Sequence, residues 1–203
     1  MRPLNITMKG FASFASKTEI DLTDVDLFVL EGPTGAGKSS VLDALTFTLY
    51  GQAWRYSGRQ VAPLLHTGSG QGVVSVDFLA GDQHYRAVRV LRRTSKSVST
   101  KEARLETVAA DGSTKVIAAS PGGVTERVTE IVGLDFDQFC TVVFLPQGAF
   151  SEFLDAKGKD RADLLVDLLG IGVYREMGQA ARTRTRAAPV SYTHLTLPTI
   201  YSV

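Results

Sequence analysis

The order of apolar and polar residues indicates β-structure at the start of the chain. Leu4, Ile6 and Met8 alternate with polar neighbours, which predicts a strand with one buried face. Residues 17–22 predict a second, short strand. The continuous apolar run at 26–32 predicts a strand buried on both faces. Three strands are therefore expected before the first glycine-rich segment.

Helical spacing replaces alternation after that segment. Val41, Leu42, Leu45 and Leu49 recur at the spacing of one helix face, and Gly51 follows as a stop signal. Further patterns predict two β-hairpins, three helices and one more strand. The hairpins pair 72–80 with 84–93 and 103–110 with 114–119, the helices span 122–134, 159–170 and 172–188, and the strand spans 140–150.

Composition fits a globular domain with a hydrophobic core. The chain has 203 residues, 44% of them hydrophobic, with a formal net charge of +1. Its one cysteine, Cys140, lies in an apolar run and is interpreted as a core residue. No run reaches the ~20 apolar residues of a membrane span, so we expect no membrane contact and a cytoplasmic location. The spacing of the histidines predicts no zinc site.

The segment GPTGAGKS, residues 32–39, matches the phosphate-loop pattern G-x-x-x-x-G-K-[ST]. It lies between an expected strand and an expected helix, which is the context that this motif requires. Glycines let backbone N–H groups converge on a phosphate, and the helix N-terminus adds positive potential. Lys38 is expected to neutralise phosphate oxygens and Ser39 to bind Mg²⁺, so the sequence predicts ATP and Mg²⁺ as ligands.

ATP hydrolysis also needs an acidic residue at the end of a buried strand. The best candidate is Asp77, but its neighbours alternate as in a half-exposed hairpin strand and no glutamate follows. The chain is therefore expected to hold the phosphate-binding half of a site without the acidic half.

Three segments in the same order, 4–22, 32–51 and 144–174, resemble the SbcC family. These are DNA-repair ATPases of the structural-maintenance-of-chromosomes (SMC) type with ABC-like heads. The resemblance covers roughly residues 1–186. It implies an α/β P-loop NTPase fold: the N-terminal lobe of an ABC-ATPase head over 1–170, with a mixed sheet and an antiparallel region, and the start of an outgoing coiled coil at 171–188. Residues 189–203 lack Asp, Glu, Lys and Arg, resemble a translated sequencing adapter and are interpreted as a non-native tail.

The resemblance also assigns site residues. Gln147 corresponds to the Q-loop glutamine, which reaches Mg²⁺ or the attacking water, and together with Lys38 it forms the expected catalytic pair. Ser39 and Gln147 are the expected metal ligands. Relatives often carry an arginine near the first turn, where this chain has Ala12 and Ser13. The expected nucleotide cradle consists of Gly32, Thr34, Gly35, Ala36, Gly37, Lys38, Ser39 and Ser40.

The function implied is that of an ATPase which gates an SbcD-type nuclease on double-stranded DNA ends. A second SbcC head is expected to complete each site, and the protein is expected at the nucleoid. The chain alone should bind nucleotide weakly, with negligible turnover.

The alternative is an SMC-type ATPase that tethers chromosomes without a nuclease. A small-molecule P-loop kinase is disfavoured by the start of a coiled coil. A further hypothesis is that the loop at His66 and Thr67 lies beside the adenine of the nucleotide.

Basic residues concentrate in the strand 84–93 and the segment that follows it. They could neutralise duplex phosphates without reading sequence, or they could be solvated charges that keep a hairpin edge from pairing. Both interpretations stay open on the sequence alone. The residues are Arg86, Arg89, Arg92, Arg93, Lys96, Lys101 and Arg104.

Overall fold

A computed structural model of the chain describes residues 1–56, 60–143 and 172–187. The chain divides into two compact units, residues 1–140 and 141–203. The first unit contains a β-sheet and the helices packed on it. The described part of the second unit consists largely of the helix Gly172–Ala187, which the sequence predicted at 172–188.

Six strands form one sheet in the order β2-β1-β3-β4-β5-β6. Every pairing between them is antiparallel, so the parallel pairing that a mixed sheet requires does not occur in residues 1–56 and 60–143. The bounds are β1 Arg2–Lys9, β2 Thr18–Asp21, β3 Gln71–Ala80, β4 Gln83–Arg93, β5 Val98–Val108 and β6 Thr114–Ala118.

The β3–β4 pair is the hairpin that the alternation predicted. Val74, Val76 and Phe78 are fully buried on one face of the sheet, while Ser75 and Asp77 point to the other face and stay half-buried. Strands β5 and β6 form the second predicted hairpin. The apolar face of this sheet is the floor on which the helices pack.

Helix α1, Lys38–Tyr50, begins at the phosphate loop and crosses that floor, with contacts to β1, β3 and β4. Ten of its 13 residues are buried, which explains why its apolar positions extend around most of the helix. Gly51 ends it in a left-handed conformation (φ 75°) and donates its N–H to the carbonyl of Phe47 at 2.7 Å. The predicted helix end at Gly51 is confirmed.

Helix α2, Pro121–Val132, packs beside α1 on the same floor. Its start is fixed by Ser120, whose side chain accepts the N–H of Gly123 at 3.1 Å, and its end by Gly133. Val124 and Val128 are fully buried. This helix, too, matches the prediction. A short 3₁₀ helix, Ala62–Leu64, lies in the connection between α1 and β3.

The strand predicted at 140–150 is wrong at its start, where the structure has helix α3, Phe136–Val142. The cause is a reciprocal cap: Asp135 accepts the N–H of Gln138 at 2.9 Å, and the Gln138 side chain accepts the N–H of Asp135 at 3.0 Å. These two hydrogen bonds stabilise a helical turn at the start of α3, and Cys140 lies within this helix. Positions 144–150 lie outside the described residues. The helix of the second unit, Gly172–Ala187, is named α4.

The buried strand predicted at 26–32 is also wrong, because these residues form no strand. Leu27 is 90% exposed and Val29 77% exposed. A strand that is apolar on both faces needs a covering layer on each side. No element among the described residues supplies either layer, so the segment reaches the phosphate loop as a largely exposed stretch without regular secondary structure.

Candidate functional site

The phosphate loop makes its turns at glycines. Gly32, Gly35 and Gly37 have positive φ angles of 149°, 85° and 98°, which residues that carry a Cβ rarely adopt. Gly37 is also the residue that caps the start of α1. The spacing of glycines in the motif therefore follows from the backbone conformation of this loop.

The turn between β1 and β2 lies directly behind the loop. A Cβ at Gly37 would come within 3.0 Å of the Phe14 ring and 3.1 Å of the Ser13 side chain. Ala12, in the same turn, has a left-handed backbone (φ 46°). Its carbonyl lies 2.8 Å from Nδ1 of His66. The His66 side chain thus contacts the back of the turn and is not among the residues that line the cavity described below.

Backbone donors converge at the start of α1. The N–H of Ala36 bonds to the carbonyl of Pro33 at 3.2 Å, within the loop. In the described parts of the chain, no acceptor is found for the N–H groups of Gly35, Gly37 and Lys38. Free N–H groups at the positive end of a helix dipole suit an anion.

Lys38 completes the positive side of the loop. Its ammonium group donates to the carbonyls of Gly32 at 2.6 Å and Pro33 at 2.9 Å, so the side chain folds back over the loop. A cavity of about 390 Å³ opens beside it. The cavity is lined by Ser13, Thr34, Gly35, Gly37, Lys38, Ser39, Ser40 and Arg55.

Most of the expected nucleotide cradle therefore surrounds one cavity. Gly32 and Ala36 belong to the loop but do not line the cavity. Ser39 is exposed at the cavity, as a metal-binding hydroxyl must be, and Ser40 is buried. None of the described residues that line the cavity carries a carboxylate. The lining fits a phosphate chain and one hydroxyl ligand for Mg²⁺.

Sequence reasoning missed two residues of this region, Arg55 and Asp43. Arg55 lines the cavity, and its guanidinium forms an ion pair with Asp43 of α1, whose side chain is completely buried. Burial raises the pKa of the Asp43 carboxyl, and the bonds to Arg55 oppose that shift. A signal was present, because a carboxylate inside a helix that is apolar on most sides needs a buried partner.

Asp77 is not placed to serve a nucleotide. It lies in mid-strand on β3 and accepts bonds from Arg86 on β4, at 2.6 Å from Nε and 3.0 Å from Nη2. These bonds raise the pKa of Arg86. The structure agrees with the interpretation of Asp77 as a hairpin residue.

The basic concentration separates into two groups. Arg86 pairs with Asp77, Arg104 pairs with Glu106, and Arg89 is only 1% exposed. Arg89 thus has no surface from which to reach DNA, which corrects its inclusion among candidate contacts. Four further cations are exposed and have no ion pair within the described residues, and we call them the distal basic cluster: Arg92, Arg93, Lys96 and Lys101.

Several expectations fall outside the described residues. Gln147, the helix at 159–170 and the tail at 189–203 are among them. Within residues 1–56, 60–143 and 172–187, no helix has the length and apolar character needed to cross a membrane. The same residues contain no group of three or more His, Cys, Asp or Glu side chains that could hold a metal ion.

Fold and loop together define an α/β P-loop NTPase lobe. The family described as "AAA domain" matches residues 5–176, and the chain belongs to this family. A solved structure from work on the ATP-driven dimerisation and DNA-stimulated activation of SMC ATPases matches with a TM-score of 0.52. It is 19% identical and covers 83% of this chain and 99% of that one, so it supports the fold.

The curated relatives that match this chain carry SbcC and Rad50 names, in agreement with the family that the sequence resembles. The chain is 40% identical over 178 residues to the C subunit of the SbcCD nuclease of Deinococcus radiodurans, covering 87% of this chain and 19% of that protein. It is 35% identical over 183 residues to the "Probable DNA double-strand break repair Rad50 ATPase" of Aquifex aeolicus, covering 89% and 18%. The chain thus spans about a fifth of the length of these relatives.

Proposed function

We propose that this chain is the ATP-binding lobe of an SbcC-type ATPase. The observation that carries the proposal is the cavity at the start of α1, where Lys38 and the exposed Ser39 lie beside backbone N–H groups that have no acceptor among the described residues. The Lys38 ammonium would exchange the carbonyls of Gly32 and Pro33 for phosphate oxygens, and Ser39 would bind Mg²⁺. When bound, ATP supplies the phosphoanhydride bond whose cleavage drives the cycle.

Catalysis would need groups from outside the described cavity. Its described lining has no carboxylate to hold Mg²⁺ or to orient water. In the full-length protein, Gln147 would approach Mg²⁺ and the attacking water, and a second head would complete each site. The 203-residue chain should therefore bind ATP weakly without steady turnover.

The proposed role of the full-length protein is to gate an SbcD-type nuclease on double-stranded DNA ends. The names of the relatives support it: one belongs to the SbcCD nuclease, and another is a probable Rad50 ATPase of double-strand break repair. Since the substrate would be chromosomal DNA, we propose a cytoplasmic location at the nucleoid.

Calorimetric titration with ATP and Mg²⁺ tests the binding role directly. The wild-type chain should bind, Lys38→Ala should weaken binding at least about tenfold, and Ser39→Ala should reduce the gain that Mg²⁺ gives. Equal affinities for wild type and Lys38→Ala would overturn the site. Steady hydrolysis by the wild-type chain, abolished by Lys38→Ala, would overturn the expected inactivity.

Co-purification with the full-length protein separates the two possible cellular roles. A manganese-dependent nuclease partner supports the SbcC-type role. A bridging protein of the kleisin type, without a nuclease, supports the SMC-type tethering role instead.

A further inference from the structure

Arg55 lies at the nucleotide cavity although it is outside the phosphate-loop motif. It comes after the end of α1, in the segment that follows Gly51, and lines the same cavity as Lys38 and Ser39. The cavity therefore contains a second cation, contributed by a different segment of the chain.

Asp43 holds this cation in place. Nε of Arg55 donates to Oδ1 at 3.2 Å and to Oδ2 at 2.9 Å, and Nη2 also donates to Oδ2. The Asp43 side chain is 0% exposed and lies one helical turn after Ser39 and Ser40. A carboxylate this deeply buried needs its charge partner, so removing either member costs more than it would in an exposed pair.

The pair leaves part of the guanidinium free. A guanidinium has five N–H donors, and among the described residues no acceptor is found for the two on Nη1 of Arg55. The side chain remains 34% exposed, and its other close neighbour is the ring of Tyr56, 5.7 Å from the guanidinium carbon. Its free edge is thus available to a ligand in the cavity.

We propose that Arg55 contacts the phosphate chain of the nucleotide and that Asp43 is the positioning residue that holds it there. The inference rests on the proposed ATP site and adds one residue to it. A planar guanidinium suits phosphate oxygens in two-bond geometry. Lys38 would have to release the carbonyls of Gly32 and Pro33 before it binds phosphate. Nη1 of Arg55, in contrast, has no acceptor among the described residues and is ready to donate.

Binding of two probes, Mg-ATP and inorganic triphosphate, tests the contact on the 203-residue chain. Arg55→Met should weaken both about tenfold, and Arg55→Lys should weaken both by a smaller factor because it keeps the charge and loses the fork. Asp43→Asn should also weaken both, since Arg55 would no longer be held. The matched control Arg93→Met removes an exposed arginine that does not line the cavity and should change neither affinity.

Melting temperatures, measured for every variant, separate a structural role from a phosphate contact. If Arg55 only ties its segment to α1, Arg55→Lys will lower the melting temperature and leave both affinities within about twofold of wild type, which overturns the inference. Arg55→Lys serves as the deciding variant should Arg55→Met not fold. Loss of binding in Lys38→Ala with full binding in the Arg55 variants rejects the inference alone. No difference between wild type and Lys38→Ala rejects the ATP site and the inference with it.

Discussion

Nε of Arg89 donates a hydrogen bond to the carbonyl of Thr48 at 2.9 Å, and this bond joins strand β4 to the last turn of α1. Nη2 of the same guanidinium donates to the carbonyl of Leu49 at 3.1 Å and to Thr125 of α2 at 2.8 Å. A cation at a helix C-terminus is stabilised by the dipole. The helix that begins at the phosphate loop is therefore anchored at its other end by a buried arginine.

Replacing Arg89 should destabilise the first unit. Arg89→Met removes the donors to Thr48 and Leu49, and the buried carbonyls lose their partners, so we expect a loss of about 2–4 kcal/mol in the free energy of unfolding. Urea denaturation followed by circular dichroism measures this loss. Burial disfavours the charged form of Arg89 and lowers its pKa to about 10, so the hydrogen bonds must outweigh this cost of desolvation. If Arg89→Met left the free energy of unfolding unchanged or raised it, the anchoring role would be wrong.

The case of Arg89 shows what alternation does and does not predict. Ala87, Arg89 and Leu91 share the buried face of β4, as a period of two requires. The alternation is compatible with a buried Arg89, but the sequence analysis counted it among the surface charges because arginine usually lies at the surface. The partners that make this burial possible, the carbonyls of Thr48 and Leu49, are 41 and 40 residues away in sequence and have no local signal.

Most of the sheet and helix bounds could be predicted because their signals are local. Gly51 and Ser120 mark a helix end and a helix start by their own backbone preferences. The apolar run at 26–32 differs, because its conformation depends on what covers it. The contribution of Arg55 to the cavity likewise depends on a contact with Asp43 across 12 residues. The chemistry of the phosphate loop is local enough to predict, whereas the residues that surround it are brought in by packing.

The distal basic cluster should account for any binding of duplex DNA by the first unit, residues 1–140. Changing Arg92, Arg93, Lys96 and Lys101 together to glutamate should weaken binding and reduce its salt dependence, since each lost phosphate contact lowers the slope by about 0.9. Fluorescence anisotropy with a labelled duplex at several salt concentrations measures both. The control Arg104→Gln removes a cation that is paired with Glu106. Unchanged binding by the quadruple variant would support the interpretation of these residues as solvated hairpin charges.

Asp77 should matter little for the nucleotide. Asp77→Asn weakens its pair with Arg86, a partly exposed ion pair, and should cost about 0.5–1 kcal/mol of stability. The affinity for ATP and its dependence on Mg²⁺ should stay within about twofold of wild type, in contrast to Lys38→Ala. Titration calorimetry with and without Mg²⁺ checks this. A lost Mg²⁺ dependence in Asp77→Asn would restore Asp77 as a metal-site acid.

The Cys140 thiol should be a poor nucleophile in the folded chain. Burial, with a smaller contribution from Asp137, raises its pKa from 9.0 to about 11. Since the thiolate is the reactive form, a disulfide reagent at pH 8 should modify the native chain at least about tenfold more slowly than the chain in urea. Cys140 is the one cysteine of the sequence, so the absorbance change reports this residue alone.

The same shift gives stability a pH dependence with a defined sign. Between pH 9 and about 11 the unfolded chain loses the thiol proton while the folded chain keeps it. The unfolded state then binds fewer protons, so the contribution of Cys140 to stability is complete below pH 9 and is lost as the pH rises towards 11. Denaturation at about pH 8 and about pH 10.5 should show a smaller decline for Cys140→Ala than for wild type, because the variant lacks this titration. Equal declines, or rapid native modification at pH 8, would show that the thiol is not held in a partly buried position on α3.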